Sequence, residues 1–223
     1  YMKVGKGAKM ANKGTSVELA PTAKATAEQI KNFDLDSFLI KLQLEEPFFC
    51  KVLRKVTKVR TMMIPTAGVL AREGDIKLWY NPAFLAGLTP KQVLGLLKHE
   101  CYHLVFEHTT TRRLDPHLVH NYAADLAINS LIPEIELPEG GLIPGKAFAE
   151  LTEEQLEKMT EKRVEQYNAL SAKIATFPKG ESTEWYFSRL MEDNEIKEAI
   201  TNPDGGENGD GEGSSFPGAM DDH

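Results

Sequence analysis

The chain has few cysteines, no long apolar run and no excess of positive charge, and each shortage argues against a class of protein. Its 223 residues include two cysteines, too few for a disulfide framework in a domain of this size. No apolar stretch reaches the length of about 18 residues that a transmembrane helix requires, and the first residues lack the apolar segment of a secretory signal. The net charge of −7 argues against a dedicated nucleic-acid binder. We therefore expect a cytoplasmic protein without a membrane or nucleic-acid partner.

Three segments differ in composition and predict one folded domain between two polar ends. Residues 1–25 are rich in Lys, Ala, Gly and Thr and show no periodicity, which predicts a flexible basic arm. Residues 26–201 carry helical and strand-like patterns and predict the folded domain. Residues 202–223 contain six acidic residues, six glycines and no Lys or Arg, which predicts an acidic, glycine-rich linker.

The periodicity of the folded part predicts an α+β fold that is mostly helical. The block from Thr26 to about Val59 is helical in pattern, and Pro47 is expected to divide it into two helices because proline is not tolerated in a helix interior. Two β-favouring runs flank a turn that contains a glycine, and they predict a hairpin over 62–80. Capping residues and prolines predict four further helices, at about 89–108, 115–133, 152–175 and 182–200.

The 89–108 helix contains the motif HExxH, as His-Glu-Cys-Tyr-His at 99–103. At about 100° per residue, both histidines and Glu100 lie on one side of this helix. Two imidazoles one turn apart can share one Zn²⁺, and the glutamate beside them can reach a water on the metal. Gly95, one turn before His99, is expected to leave the metal side uncrowded. The opposite side is apolar and predicts a separate core face, formed by Val93, Leu94, Leu97, Cys101, Leu104 and Val105.

A catalytic zinc also needs a third protein ligand and an open coordination position. The next helix offers Asp125, a carboxylate among apolar residues. Burial of such a group is unfavourable unless a partner or a metal compensates, so Asp125 is the first candidate. The alternatives for this ligand are His117, His120 and Glu107.

Polar residues around these candidates are expected to orient the ligands. Glu107 lies at about 80° on the metal helix and is expected to accept a hydrogen bond from a ligand histidine. Asn121 and Asn129 lie one turn on either side of the acid and are expected to orient it. His108 projects about 180° from the first histidine and is not expected to be a ligand. Thr109 stands where a metzincin has its third histidine, which excludes that class.

A longer set of segments accompanies the motif. The second helix reads NYAADLAIN at 121–129, and the supporting segments are EPFF at 46–49, IPTA at 64–67, YNP at 80–82 and STEWY at 182–186. On these residues, over about 33–223, the chain resembles a family of predicted zinc metallopeptidase domains from bacteria and phages, often followed by a von Willebrand factor A-like domain. The resemblance implies a zincin-like fold, metallopeptidase activity and an acid on the second helix as third ligand.

We therefore expect zinc-dependent hydrolysis of a protein or peptide substrate. Zn²⁺ held by His99, His103 and Asp125 would activate a water, and Glu100 would act as general base. An extended substrate is expected to pair with an exposed strand of the hairpin. The alternative is a non-catalytic module in which zinc is structural and the surface binds an assembly partner. It is disfavoured because Glu100 has no structural duty that Gln could not perform.

Overall fold

The computed structural model describes residues 24–72 and 74–202. The predicted basic arm, apart from residues 24 and 25, and the predicted acidic linker, apart from residue 202, lie outside the described residues. The described part is mostly helical with one small sheet, so the predicted α+β class is confirmed.

Three helices form the start of the described chain: α1 (Ala27–Asn32), α2 (Leu35–Glu45) and α3 (Pro47–Leu53). Pro47 begins α3, as predicted, because proline fits the first turn of a helix. The sequence predicted two helices here, and the structure has three. The extra boundary arises at Asp34, whose side chain accepts a hydrogen bond from the backbone of Asp36 and starts α2 afresh.

The sheet has three strands: β1 (Thr57–Arg60), β2 (Ala67–Arg72) and β3 (Asp75–Tyr80). β2 and β3 form the predicted antiparallel hairpin. β1 pairs in parallel with the other side of β3, so the strand order is β1-β3-β2. The helical pattern had been extended through residue 59, so β1 was missed. Among the described residues β2 pairs with β3 alone, which makes β2 an edge strand.

Three helices follow the sheet: α4 (Pro82–Gly87), α5 (Pro90–Val105) and α6 (His117–Asn129). α5 carries HExxH, and its start is confirmed, because Thr89 and Gln92 form a capping box. α5 ends three residues earlier than predicted. Phe106 leaves helical geometry and Glu107 takes a φ of 60°, a left-handed conformation that turns the chain sharply.

The C-terminal half consists of a 3-10 turn and four helices, where two long helices had been predicted. The turn is Glu134–Glu136, and the helices are α7 (Glu153–Lys158), α8 (Glu161–Ala175), α9 (Thr183–Met191) and α10 (Asn194–Thr201). Each predicted helix is divided by a new N-cap, Thr160 before α8 and Asp193 before α10. Side-chain caps of this kind favour a fresh helix start over continuation.

The apolar residues form two clusters. The first, here called the N-terminal core, joins the sheet to α2–α5 and contains Leu42, Leu53, Val69, Leu78, Leu96 and Leu97 among others. The second, the C-terminal core, joins α6 to α8–α10 and contains Val119, Tyr122, Leu126, Leu170, Ile174 and Tyr186 among others. α5 belongs to the first cluster and most of α6 to the second, and the two helices pack together. No helix of the described residues is long and apolar enough to cross a membrane.

The polar face predicted for α5 is buried as well as its apolar face. Every residue from Gln92 to Cys101 is buried, whereas Val105, assigned to the core face, is 42% exposed. The Glu134–Glu136 turn covers this face of α5 near Gly95. A Cβ atom at Gly95 would lie 1.9 Å from the backbone oxygen of Glu136. Gly95 therefore admits this turn, a role different from the uncrowded metal side that the sequence suggested.

Candidate metal centre

The seam between α5 and α6 brings three buried ligand-type side chains together. The Nε2 atoms of His99 and His103 lie 2.9 Å apart. Oδ1 of Asp125 lies 3.4 Å from the first of these nitrogens and 3.3 Å from the second. All three side chains are at most 2% exposed. The structure thus joins the two histidines of HExxH to the aspartate of the second helix in one group that could hold a metal ion.

The donor atoms of this group fit a small tetrahedral cation. Zn²⁺ binds imidazole nitrogen and carboxylate oxygen at about 2.0–2.2 Å, so ligand atoms around it lie about 3.3–3.5 Å apart. The two His–Asp distances fall in that range, and the Nε2–Nε2 distance is about 0.4 Å shorter than its lower end. Three protein ligands leave the fourth position open, which is the arrangement of catalytic rather than structural sites.

The electrostatics of the group favour a bound cation. Burial alone would raise the pKa of Asp125, but the hydrogen bonds and charges of His103 and His99 hold it far below its usual value. Burial alone would lower the pKa of His99, and Asp125 outweighs that effect and raises it. The acid is therefore ionised, and it accepts a proton-bearing imidazole nitrogen as a hydrogen-bond donor. A divalent cation can take the place of that proton.

Asn129 fixes the orientation of His99. Its Oδ1 accepts a hydrogen bond from Nδ1 of His99 at 2.9 Å, and its Nδ2 donates to the backbone oxygen of Leu142 at 2.9 Å. The second bond decides which way the amide faces. With its proton on Nδ1, His99 presents an Nε2 lone pair to the group. The sequence predicted a supporting role for Asn129, but toward Asp125 rather than toward a histidine.

His108 contacts His103 on the side away from the ligand group. The two Nδ1 atoms lie 3.3 Å apart. Burial, and secondarily the charge of His120, lower the pKa of His108 to about 4, so its imidazole is neutral near pH 7. The sequence missed this contact because the helical projection does not apply beyond Val105, where the turn at Glu107 folds the chain back.

Glu107 itself lies elsewhere. Its side chain is exposed and accepts a hydrogen bond from the hydroxyl of Thr111. Because Nδ1 of His99 contacts Asn129 and Nδ1 of His103 contacts His108, the role predicted for Glu107 falls to those two residues.

The remaining predicted site residues, His120, His117 and Asn121, lie near the ligand group and are not members of it. His120 is buried, and its Nε2 lies 3.3 Å from the backbone oxygen of His108. His117 and Asn121 line a small cavity together with His103 and His120. The structure places neither alternative histidine in the ligand group. Asn121 is buried one turn from Asp125, where the sequence placed it.

Glu100 is fully buried on α5, next to the first ligand histidine. Its negative charge adds to that of Asp125 in raising the pKa of His99 against the effect of burial. A buried carboxylate beside a metal-ligand group has the location that proton transfer requires. The neighbouring Cys101 is buried in the N-terminal core, and burial raises the pKa of its thiol, so it is a packing residue rather than a nucleophile.

Comparisons with known proteins identify a family for the chain. An uncharacterized protein of Thermotoga maritima is 31% identical over 104 residues, which is 45% of this chain and 26% of that protein. No solved structure matches the chain. The model of a family described as "Putative metallopeptidase domain" matches residues 31–219, close to the span over which the resemblance was predicted. Because this match covers most of the sequence, the chain belongs to that metallopeptidase domain family.

Proposed function

We propose that the chain is a zinc-dependent peptidase in which His99, His103 and Asp125 hold the metal and Glu100 is the general base. The observation that carries the proposal is the buried group itself. Two imidazole nitrogens and one carboxylate oxygen converge within 3.4 Å of one another on two different helices. Burial of these polar groups in a seam between two apolar clusters is unfavourable unless their pairing or a bound cation compensates for the loss of water contacts.

A zinc ion bound to this group supplies Lewis acidity, which makes a water molecule a competent nucleophile near neutral pH. Glu100 would take one proton of that water on its carboxylate and return it to the leaving amine nitrogen of the cleaved peptide bond. The water oxygen and its second proton would become part of the new carboxylic acid group and the amine would leave with the first proton, so atoms and charges balance. His99 and His103 would keep their Nε2 lone pairs available to the metal throughout.

The edge strand β2 is the proposed binding surface for an extended substrate. It packs against α5, and its hydrogen-bonding edge opposite β3 pairs with no strand of the described chain. Leu70 of β2 lines the same small cavity as His103, so this strand passes beside the ligand group. A peptide added to this edge would bind through its main chain, which requires no particular sequence.

The test uses Glu100→Gln, which keeps size and hydrogen bonding but removes the base. We expect one zinc ion per chain in wild type and variant alike, and a loss of peptidase turnover by at least about 100-fold in the variant. Cleavage is measured by mass spectrometry on a proteome-derived peptide library, and metal by elemental analysis. Glu107→Gln, an exposed glutamate just after the same helix, is the matched control and should change neither value.

Two outcomes would reject parts of the proposal. Equal cleavage by the Glu100→Gln variant would remove the mechanism. Stoichiometric zinc in a wild-type chain that cleaves no peptide of the library would favour the alternative, a zinc-stabilised module that binds a protein partner.

A von Willebrand factor A-like domain as neighbour or partner is part of the same proposal, and co-purification of the chain with such a domain would support it.

A further inference from the structure

We propose that His108 and Thr183 position the ligand His103 through a directed chain of hydrogen bonds, and so couple metal affinity to the docking of α9. This inference rests on the metal-binding part of the proposed function and does not require peptidase activity. Three buried side chains form the chain, and they come from α5, the turn after α5 and the first residue of α9. The two contacts are 3.3 Å between Nδ1 of His103 and Nδ1 of His108, and 2.9 Å between Nε2 of His108 and Oγ1 of Thr183.

The direction of each bond follows from the use of His103 as a ligand. Its Nε2 faces Asp125 and His99, so metal binding requires the lone pair on that nitrogen. The ring proton is then on Nδ1, which donates to Nδ1 of His108. His108 must in turn carry its proton on Nε2, and that nitrogen donates to the Thr183 hydroxyl oxygen. Once His103 holds a metal, each step leaves one possibility for the next, and the Thr183 hydroxyl ends the chain as the acceptor that supports the metal-binding tautomer of His103.

His108 is held firmly enough to serve as a positioning residue. Its backbone N–H donates to the backbone oxygen of His103 at 3.0 Å. Its own backbone oxygen lies 3.3 Å from Nε2 of His120, on α6. Its ring also packs edge-on against the ring of His120, with centroids 5.5 Å apart. The turn after α5, helix α6 and helix α9 therefore all restrain one imidazole.

The geometry also distinguishes His108 from a metal ligand. Its Nδ1 contacts the Nδ1 side of His103, and the ligand group lies on the Nε2 side. From its position after HExxH alone, His108 could be interpreted as a third ligand or as a core residue. The structure shows instead that His108 contacts the ligand His103 from outside the ligand group.

The experiment measures metal affinity in the full chain with two substitutions of Thr183. Thr183→Val keeps the shape and removes the acceptor, and Thr183→Ser restores a hydroxyl. Zinc affinity is measured by chelator competition, and the cobalt absorption spectrum reports the ligand geometry. We expect Thr183→Val to lower zinc affinity about 10–100-fold and to alter the cobalt spectrum, and Thr183→Ser to restore both within about threefold.

Glu184→Gln provides the control for a general loosening of α9. Glu184 is the next residue of α9 and forms an exposed ion pair with Arg112, in the turn after α5. Its loss should leave zinc affinity unchanged. An equal loss of affinity in Glu184→Gln and Thr183→Val would overturn the proposal, as would wild-type affinity in Thr183→Val.

His108→Phe tests the same chain if the valine variant does not fold. Phenylalanine keeps an aromatic ring against His120 and removes both nitrogens. We expect a loss similar to that of Thr183→Val, and little further loss when both are combined, because the two residues act in series. Additive losses would overturn the proposal. A wild-type chain that takes up no zinc would reject this inference together with the proposed function, whereas zinc binding without peptide cleavage would reject only the peptidase activity.

Discussion

The N-terminal and C-terminal cores contribute different things to the ligand group. The N-terminal core holds α5 and therefore provides two proposed ligands and the proposed base from one helix. The C-terminal core holds α6 and α9 and provides Asp125, Asn129 and Thr183. Local sequence spacing is sufficient to place imidazoles one turn apart. The third ligand and the groups that orient the imidazoles come from distant parts of the chain, so they depend on how the two cores pack.

The seam between the cores is crossed by buried and by surface contacts, which differ in character. In the interior, Asp125 of α6 reaches two histidines of α5. At the surface, Glu134 forms ion pairs with Lys146 and Lys179. The buried crossing is expected to contribute far more when metal is bound, since charges in the interior interact more strongly than charges screened by water.

Asp125→Ala should have the largest effect on this arrangement, because it removes the only ligand that the C-terminal core contributes. We expect zinc affinity to fall by at least about 100-fold, as loss of one of three protein ligands implies. We also expect the rise in melting temperature that zinc gives to the wild type to disappear. Elemental analysis after dialysis and thermal unfolding with and without zinc measure the two effects.

Ser130→Ala is the control for that substitution, since it follows the same helix and its hydroxyl donates to the backbone oxygen of Leu126 rather than to the ligand group. It should retain zinc. Normal zinc content in Asp125→Ala would contradict the assignment of Asp125 as the third ligand.

The sequence predicted several local features of this molecule, although it missed the N-caps at Asp34, Thr160 and Asp193. The capping box predicted at Thr89 is confirmed, and boxes of the same kind form at Thr26 and Thr152, because a hydroxyl and a glutamine three residues apart satisfy each other's backbone groups. The hairpin formed for a similar local reason, and the predicted family membership is confirmed. HExxH was informative because both histidines lie on one helix, where spacing alone fixes their relative direction.

Features that depend on distant contacts were missed. β1 forms by parallel pairing with β3, about twenty residues later, and nothing in the Thr57–Arg60 segment alone indicates that partner. The role of His108 depends on one left-handed residue, Glu107, which the sequence gives no reason to expect at a glutamate. The cover of α5 by the Glu134–Glu136 turn is likewise a long-range contact. Gly95 was the sequence feature that indicated a close contact at this point of α5, but it was attributed to the metal side of the helix rather than to the turn.

Gly95→Ala should have the second-largest effect, and it is confined to the N-terminal core. The new methyl group would meet the backbone oxygen of Glu136, which cannot move as a side-chain end can. We expect a loss of about 1–3 kcal/mol in the free energy of unfolding of the metal-free chain, measured by urea denaturation. Gly141→Ala is the control. Its Cβ would lie 3.4 Å from the nearest atom, so the change should stay within about 1 kcal/mol. Equal losses in the two variants would contradict the proposed packing role of Gly95.

Glu134→Gln should have the smallest effect on stability, because it weakens only the exposed ion pairs of Glu134 with Lys146 and Lys179. The hydrogen bonds of Lys179 and Lys146 lower the pKa of Glu134, so its contribution to stability is present above the unfolded value of about 4.5 and is lost as the pH falls. We expect a loss of about 0.2–1 kcal/mol at pH 7 and low salt, and no difference from wild type in 0.5 M salt or at pH 3.

Glu154→Gln breaks a similarly exposed ion pair, with Lys158, inside the single helix α7. If both variants lose the same small amount, the ion pairs of Glu134 contribute nothing specific to the seam. A loss confined to Glu134→Gln would instead show that the two cores are coupled at the surface as well as at the buried ligand group. Addition of zinc should then reduce the effect of Glu134→Gln on the urea midpoint of unfolding, because the bound metal would already hold the cores together.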